Sequence, residues 1–234
     1  MIALLLRAFR ALAYRRAPAT NPSSPRERIA PSFDLAARIV RAMEQRGYAV
    51  DRAAGEINIV YVEGASADGV PNGDAANAFN DRRMLIRFEG AAPTIVGNWP
   101  ATTEPGRRYT VQPINAGGAA RIAFGQYRAW QVGMHRGHHE ALVQTGGTVT
   151  VCRDANKDYE RDGDRQTTGF YGINQHHGYD FPQDDIRTAS AGCLVGRTVA
   201  GHREFMALVK SDPRYRADNR FAFRTTLLPA EWVH

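Results

Sequence analysis

Between residues 33 and 46 apolar side chains recur at helical spacing. Leu35, Ile39, Val40 and Met43 share one face, Ser32 stands where an N-cap belongs with Asp34 in the first turn, and Gly47 ends the run. The pattern predicts a helix over 33–46 with one core-facing stripe. Beyond it the period shortens. Residues 57–62, 84–88 and 94–96 are short β-branched or apolar runs bounded by Gly, Pro and Asn, and 121–133, 148–152 and 169–176 look similar. Residues 221–227 alternate cleanly and predict a last strand. A second helix over about 198–211 turns Phe205, Leu208 and Val209 inward. Many strands, few helices and two long polar loops, 64–81 and 154–169, predict a β-rich α+β domain of two packed sheets or a partly closed barrel.

Composition narrows the classes without naming one. The 234 residues are 43% hydrophobic and 23% charged, which excludes a disordered, collagen-like or polytopic membrane chain. Two cysteines exclude a disulfide framework and a four-cysteine zinc module. The formal charge of +6 is unevenly placed: up to Arg28 there are six arginines against Glu27 alone, so the remainder is close to neutral. That distribution removes the reason to expect a nucleic-acid partner. Residues 1–28 read as a basic amphipathic segment and Pro-rich linker, and 29–234 as a single domain. On a helix, Ile2, Leu5, Leu6, Phe9, Leu12 and Ala13 would share one face, a pattern suited to peripheral membrane contact through residues 1–16. Arg7 and Arg10 interrupt the apolar run before it reaches the roughly 7–15 residues of a secretion signal.

The strongest chemical signal is Ser190-Ala191-Gly192-Cys193. Glycine before cysteine gives a flexible turn whose N–H groups can face a developing oxyanion, and a thiol needs a base to become nucleophilic. Upstream, Ile173-Asn174-Gln175-His176-His177-Gly178 ends a strand-like segment, with His177 sixteen positions before Cys193. Side chains alternate along a strand, so only one of the two histidines would reach the sulfur.

A histidine beside glycine at a strand end, then about sixteen residues to Ser-x-Gly-Cys, resembles the signature of the YkuD-type L,D-transpeptidases. The resemblance spans roughly residues 56–228. It implies a catalytic domain of packed or curved mixed sheets with a few helices. Cys193 would be the nucleophile and His176 the base, with His177 as the alternative; Gly192 and Ser190 would shape the oxyanion turn. The substrate it implies is the peptidoglycan stem peptide, attacked at an L,D peptide bond through a thioester, with no cofactor and no metal. An amine acceptor would give a cross-link, whereas water would give a carboxypeptidase or a peptidoglycan-cleaving lysin or effector. A non-catalytic cell-wall-binding module is the alternative of another class. The implied compartment is the periplasm or cell-wall side of the membrane. His176 fits a variant of the pattern, Ile-Asn-x-His-x-Gly, that also includes Asn174. The commoner form of the family has His where this chain has Ala191, and Arg or Asn where it has Val195; Arg197 is the nearest substitute for the latter.

Other groupings are weaker. Cys152 reads as a strand residue. His135, His138, His139 and Glu140 do not match the spacing of a helical zinc site and read as an exposed loop. The loop 154–164 alternates acids and Asn as calcium loops do, but has Tyr159 where the EF-hand needs Gly and Arg165 where it needs Glu, so it reads as Asx turns. No phosphate-binding glycine fingerprint is present.

Overall fold

The computed structural model describes residues 32–234. In chain order they form helix α1 (Ser32–Gln45), strands β1 (Asn58–Glu63), β2 (Asp81–Glu89) and β3 (Ala92–Thr102), and the short helix α2 (Arg107–Val111). Strands β4 (Ala119–Ile122), β5 (Gly125–His135), β6 (His139–Gln144), β7 (Val149–Asp154), β8 (Arg165–Gly169), β9 (Gln175–His177) and β10 (Leu194–Gly196) follow. Helices α3 (Val199–Lys210) and α4 (Pro213–Ala217) lead to β11 (Phe223–Pro229) and a last 3₁₀ turn.

Strand β1 is buried along its whole length, which is why its apolar run is unbroken. Its alternate residues serve two cores. Ile59 and Tyr61 point into a barrel with Leu85, Trp130, Leu142, Leu194 and Leu227. Val60 and Val62 point outward and lie with Met84, Ile86 and Leu228 under the α1 stripe of Leu35, Ile39, Val40 and Met43. The helix predicted over 33–46 therefore forms, and for the predicted reason.

Eight strands close a ring in the order β1-β11-β5-β6-β9-β10-β3-β2, while β4-β7-β8 form a separate three-stranded sheet. The strand-rich α+β class is thus the one observed, and the barrel is closed rather than partly so. Pairing is antiparallel except for β1 with β11 and β9 with β10. The small sheet packs Ile122, Val149 and Val151 onto the barrel core, and α3 adds Phe205, Met206 and Val209. Thr198 caps α3, its hydroxyl accepting the Gly201 N–H.

Three elements depart from the sequence expectation. The run 121–133 is split: β4 belongs to the small sheet and β5 to the barrel, with only Ala123 and Phe124 between them. The run 169–176 is also split, because residues 170–174 leave both sheets. Gln144 holds that loop through its side-chain oxygen, which accepts the N–H of Tyr171 and of Ile173. Strand β6, whose first residues His139 and Glu140 were expected in a loop, pairs with β5 across a turn in which Arg136 and Gly137 both have positive φ, +51° and +74°. The amphipathic segment and the linker lie outside the described residues. Among the described residues no helix is long and apolar enough to cross a membrane.

Candidate active site

Cys193 stands at the entrance to β10, at the seam between the barrel and the small sheet. The turn before it is built by Ser190, fully buried, whose hydroxyl accepts the Gly192 N–H (3.1 Å) and donates to the Cys193 carbonyl (2.8 Å). Gly192 has φ +128°, and a Cβ there would lie 2.6 Å from the Ala120 carbonyl oxygen. Glycine is thus required by both backbone conformation and space. The Gly192 N–H is itself committed to the Ser190 hydroxyl. Among the described residues no side chain or loop carbonyl takes the Cys193 N–H.

The sulfur faces backbone. The Asn174 N–H points at it from 3.5 Å, and the Gly172 carbonyl lies 3.7 Å away. Burial pushes the Cys193 thiol above its ordinary value, while the Asn174 N–H and the Arg136 charge pull it back. At neutral pH the group rests as a thiol.

Strand register decides which histidine shares its side. Leu194 pairs with Gln175 and Val195 with His176 in the parallel β9–β10 ladder, and the Leu194 N–H donates to the Asn174 carbonyl. Gln175 turns inward to Thr225 (2.8 Å), and Leu194 belongs to the barrel core. By alternation Asn174, His176, Cys193 and Val195 point outward together. His177 points the other way, toward α3, with its ring 4.1 Å from that of His139 and 5.8 Å from that of His202.

Hydrogen-bond partners then fix the tautomers. His176 Nδ1 lies 2.8 Å from the His177 carbonyl, which can only accept, so Nδ1 carries the proton and Nε2 the lone pair. His177 Nδ1 accepts the Tyr179 N–H (3.2 Å), which places its proton on Nε2. A third ring joins them: His135, from the end of β5, stacks on His176 with centroids 4.1 Å apart. Asn174 Oδ1 accepts the Gln144 N–H (2.9 Å), so its amide NH₂ faces His135 Nδ1 at 2.9 Å and leaves the proton on His135 Nε2. Of these three imidazoles only His176 keeps a second nitrogen able to take a proton. Burial holds His176 well below the usual imidazole value, assisted by His135, and takes His135 down to about 4. Both rest neutral.

Cys193, Asn174 and His135 line a cleft of about 350 Å³, closed on its other walls by Tyr109 and Ile114 near α2 and by Arg153 and Tyr171. His176 is 1% exposed and sits behind His135 rather than on the cleft wall. Sequence reasoning missed His135 as a site residue. It was expected in an exposed loop with His138, His139 and Glu140, yet it is buried at a strand end, because the tight Arg136–Gly137 turn folds the β5–β6 hairpin back over β9. Gln144 was missed as well; a buried Gln at the end of β6 carries no chemical signature of its own.

The remaining candidates are placed elsewhere. Cys152 is 1% exposed in β7 and, like Cys193, is a free thiol. Arg197 donates to the Phe181 carbonyl (3.1 Å) and does not line the cleft, so it does not take over from Val195, which is packed against Phe79 and Ile186. In the loop 154–164 the Asp154 carboxylate accepts the N–H groups of Lys157 (2.6 Å) and Tyr159 (3.2 Å), an Asx-type turn.

Fold and site together define a strand-rich α+β protein with a free thiol at a cleft, with His135 on the cleft wall and His176 stacked behind it. No protein-family model matches the chain, and no curated protein matches it.

Proposed function

We propose that the protein is a cysteine acyltransferase of the L,D-transpeptidase type, acting on peptidoglycan stem peptides. The observation that carries this reading is the outward-facing pair of Cys193 and His176 on adjacent parallel strands, with the His176 lone pair on Nε2. A neutral thiol and a neutral imidazole do not form a resting ion pair. In this reading the thiol proton reaches His176 Nε2 through an intervening water, since that ring sits behind His135, as the S–C bond forms at the substrate carbonyl. The Cys193 N–H and the His135 Nε2–H are the donors available to the oxyanion, since the Gly192 N–H is engaged. Collapse of the tetrahedral intermediate breaks the C–N bond, and His176 returns the proton to the departing amine. An incoming amine, or water, then attacks the thioester and frees the thiol. The cell-wall side of the membrane is the compartment this substrate requires.

The test is acylation by a carbapenem, read by intact mass. Wild type should gain one adduct, Cys193→Ala none, and His176→Gln should acylate at least about a hundredfold more slowly, the usual lower bound for loss of a general base. A wild-type protein that stays unlabelled while Cys193 still reacts with iodoacetamide refutes acyl transfer. That outcome leaves the non-catalytic binding module of the same fold. For an active enzyme, products formed with and without an added amine acceptor separate cross-linking from hydrolysis.

A further inference from the structure

The cleft beside Cys193 contains two arginines and no acid. Its lining includes Arg136 and Arg153 but neither Asp nor Glu. Among the described residues neither guanidinium has a carboxylate partner, although arginine and lysine pair with carboxylates elsewhere, at Arg52, Arg121, Arg161, Arg187, Lys210, Arg214, Arg220 and Arg224. Arg153 is only 9% exposed. It lies over the Tyr171 ring at 4.7 Å and spends its Nε on the Thr167 hydroxyl (3.3 Å). A nearly buried cation without a counter-ion is costly unless an anion completes it. Arg136 is exposed at the tip of the β5–β6 turn. It lines the same cleft as Arg153 and Cys193, so an anion held there shares it with the nucleophile.

We propose that Arg136 and Arg153 form a carboxylate-binding subsite, so that the molecule attacked by Cys193 carries a carboxylate close to the reacting carbonyl. Arg153 presents a planar fork preorganised by Tyr171, and Arg136 reaches the anion from the exposed β5–β6 turn. This supplies, from β7 and the β5–β6 turn, the anion recognition that Val195 cannot provide. It deepens the acyl-transfer reading by giving the acyl donor a charge. It does not depend on turnover for its test.

The experiment compares alkylation of Cys193 by iodoacetate and by iodoacetamide at constant ionic strength, followed by intact mass. In both reactions sulfur displaces iodide and loses its proton to the base or to solvent; only the charge of the reagent differs. Cys152 is buried, and Cys193→Ala sets the background. In wild type the ratio of the iodoacetate to the iodoacetamide rate should exceed that of Arg136→Ala and of Arg153→Met by about tenfold, the effect of one charge-assisted hydrogen bond. Arg153→Lys should keep part of the preference, and malonate should slow iodoacetate labelling of the wild type but leave iodoacetamide labelling unchanged. Equal ratios in wild type and Arg136→Ala, with no protection by malonate, overturn the subsite even if Arg153→Met fails to fold. Failure of carbapenem acylation with the ratio preserved would remove the acyl-transfer reading and leave the subsite standing.

Discussion

Replacing Asn174 by Asp reverses one hydrogen bond at the centre of the site. The Asn174 amide donates to His135 Nδ1 over 2.9 Å while its oxygen accepts the Gln144 N–H over 2.9 Å. A carboxylate preserves the second bond and turns the first donor into an acceptor. His135 must then carry a proton on Nδ1, or two lone pairs will face each other. In the wild type, burial and then the charges of His139 and Arg136 take His135 from 6.5 down to about 4. An adjacent carboxylate returns it to at least the value of a free imidazole, a change of roughly 2–3 pKa units, or about 2 kcal/mol after discounting for solvent at the turn. Long-range ¹H–¹⁵N correlation spectra across a pH titration read both tautomer and midpoint. Wild-type His135 should show the Nε2–H form and titrate near 4. Asn174→Asp should show an Nδ1 proton and titrate near 6.5 or above. A wild-type Nδ1–H form, or a variant midpoint still near the wild-type one, refutes the tautomer assignment, and with it the choice of His176 as base.

Other expectations follow from the same geometry. Gly192→Ala puts a Cβ 2.6 Å from the Ala120 carbonyl at φ +128° and should cost about 2–4 kcal/mol in urea denaturation; a loss below about 0.5 kcal/mol would mean the turn relaxes freely. Arg161 makes a bidentate pair with buried Glu63 and stacks on Phe124 at 4.2 Å, so Arg161→Met should destabilise by about 3 kcal/mol, with Glu63→Gln in that background recovering part of it. Stability should also peak in pH. Burial holds His202 at about 3, so its contribution is complete above 6.5 and is lost as pH falls toward 3. Burial raises Glu104 to about 8, so its contribution is complete below 4.5 and is lost as pH rises through 8. His202→Gln should flatten the acid limb of a melting-temperature profile and Glu104→Gln the alkaline limb; unchanged limbs would show that these groups do not titrate as assigned.

Some of this was legible in one dimension. Local periodicity gave α1, α3, β1 and β11 to within about two residues, because each buries a stripe or a face that repeats with the element's own period. It failed where one apolar run crosses between sheets, at Ala123 and Phe124, and where a strand opens on polar residues, at His139 and Glu140 of β6, since neither event alters local spacing. In the site, Ser190, Gly192 and Cys193 announced themselves because a turn needs those residue types in consecutive positions. Alternation also required His176 and His177 to part ways.

What alternation left open was which side held the sulfur; the parallel register of β9 with β10 puts His176, Asn174 and Cys193 on the same outward face. His135, Gln144, Arg136 and Arg153 come from other strands and meet Cys193 only after the ring closes and the small sheet docks. The sequence by itself determined the strand-rich class, the turn at Cys193 and the pair of candidate bases, all set by short-range sterics and periodicity. The tertiary structure alone decided the tautomers, the missing Gly192 donor and the charge of the cleft. The His135 tautomer depends on hydrogen bonds between residues 30 and 39 positions apart, and the cleft charge on residues from separate strands. The His176 tautomer and the engaged Gly192 N–H rest on contacts one or two residues away, whose geometry only the folded backbone sets.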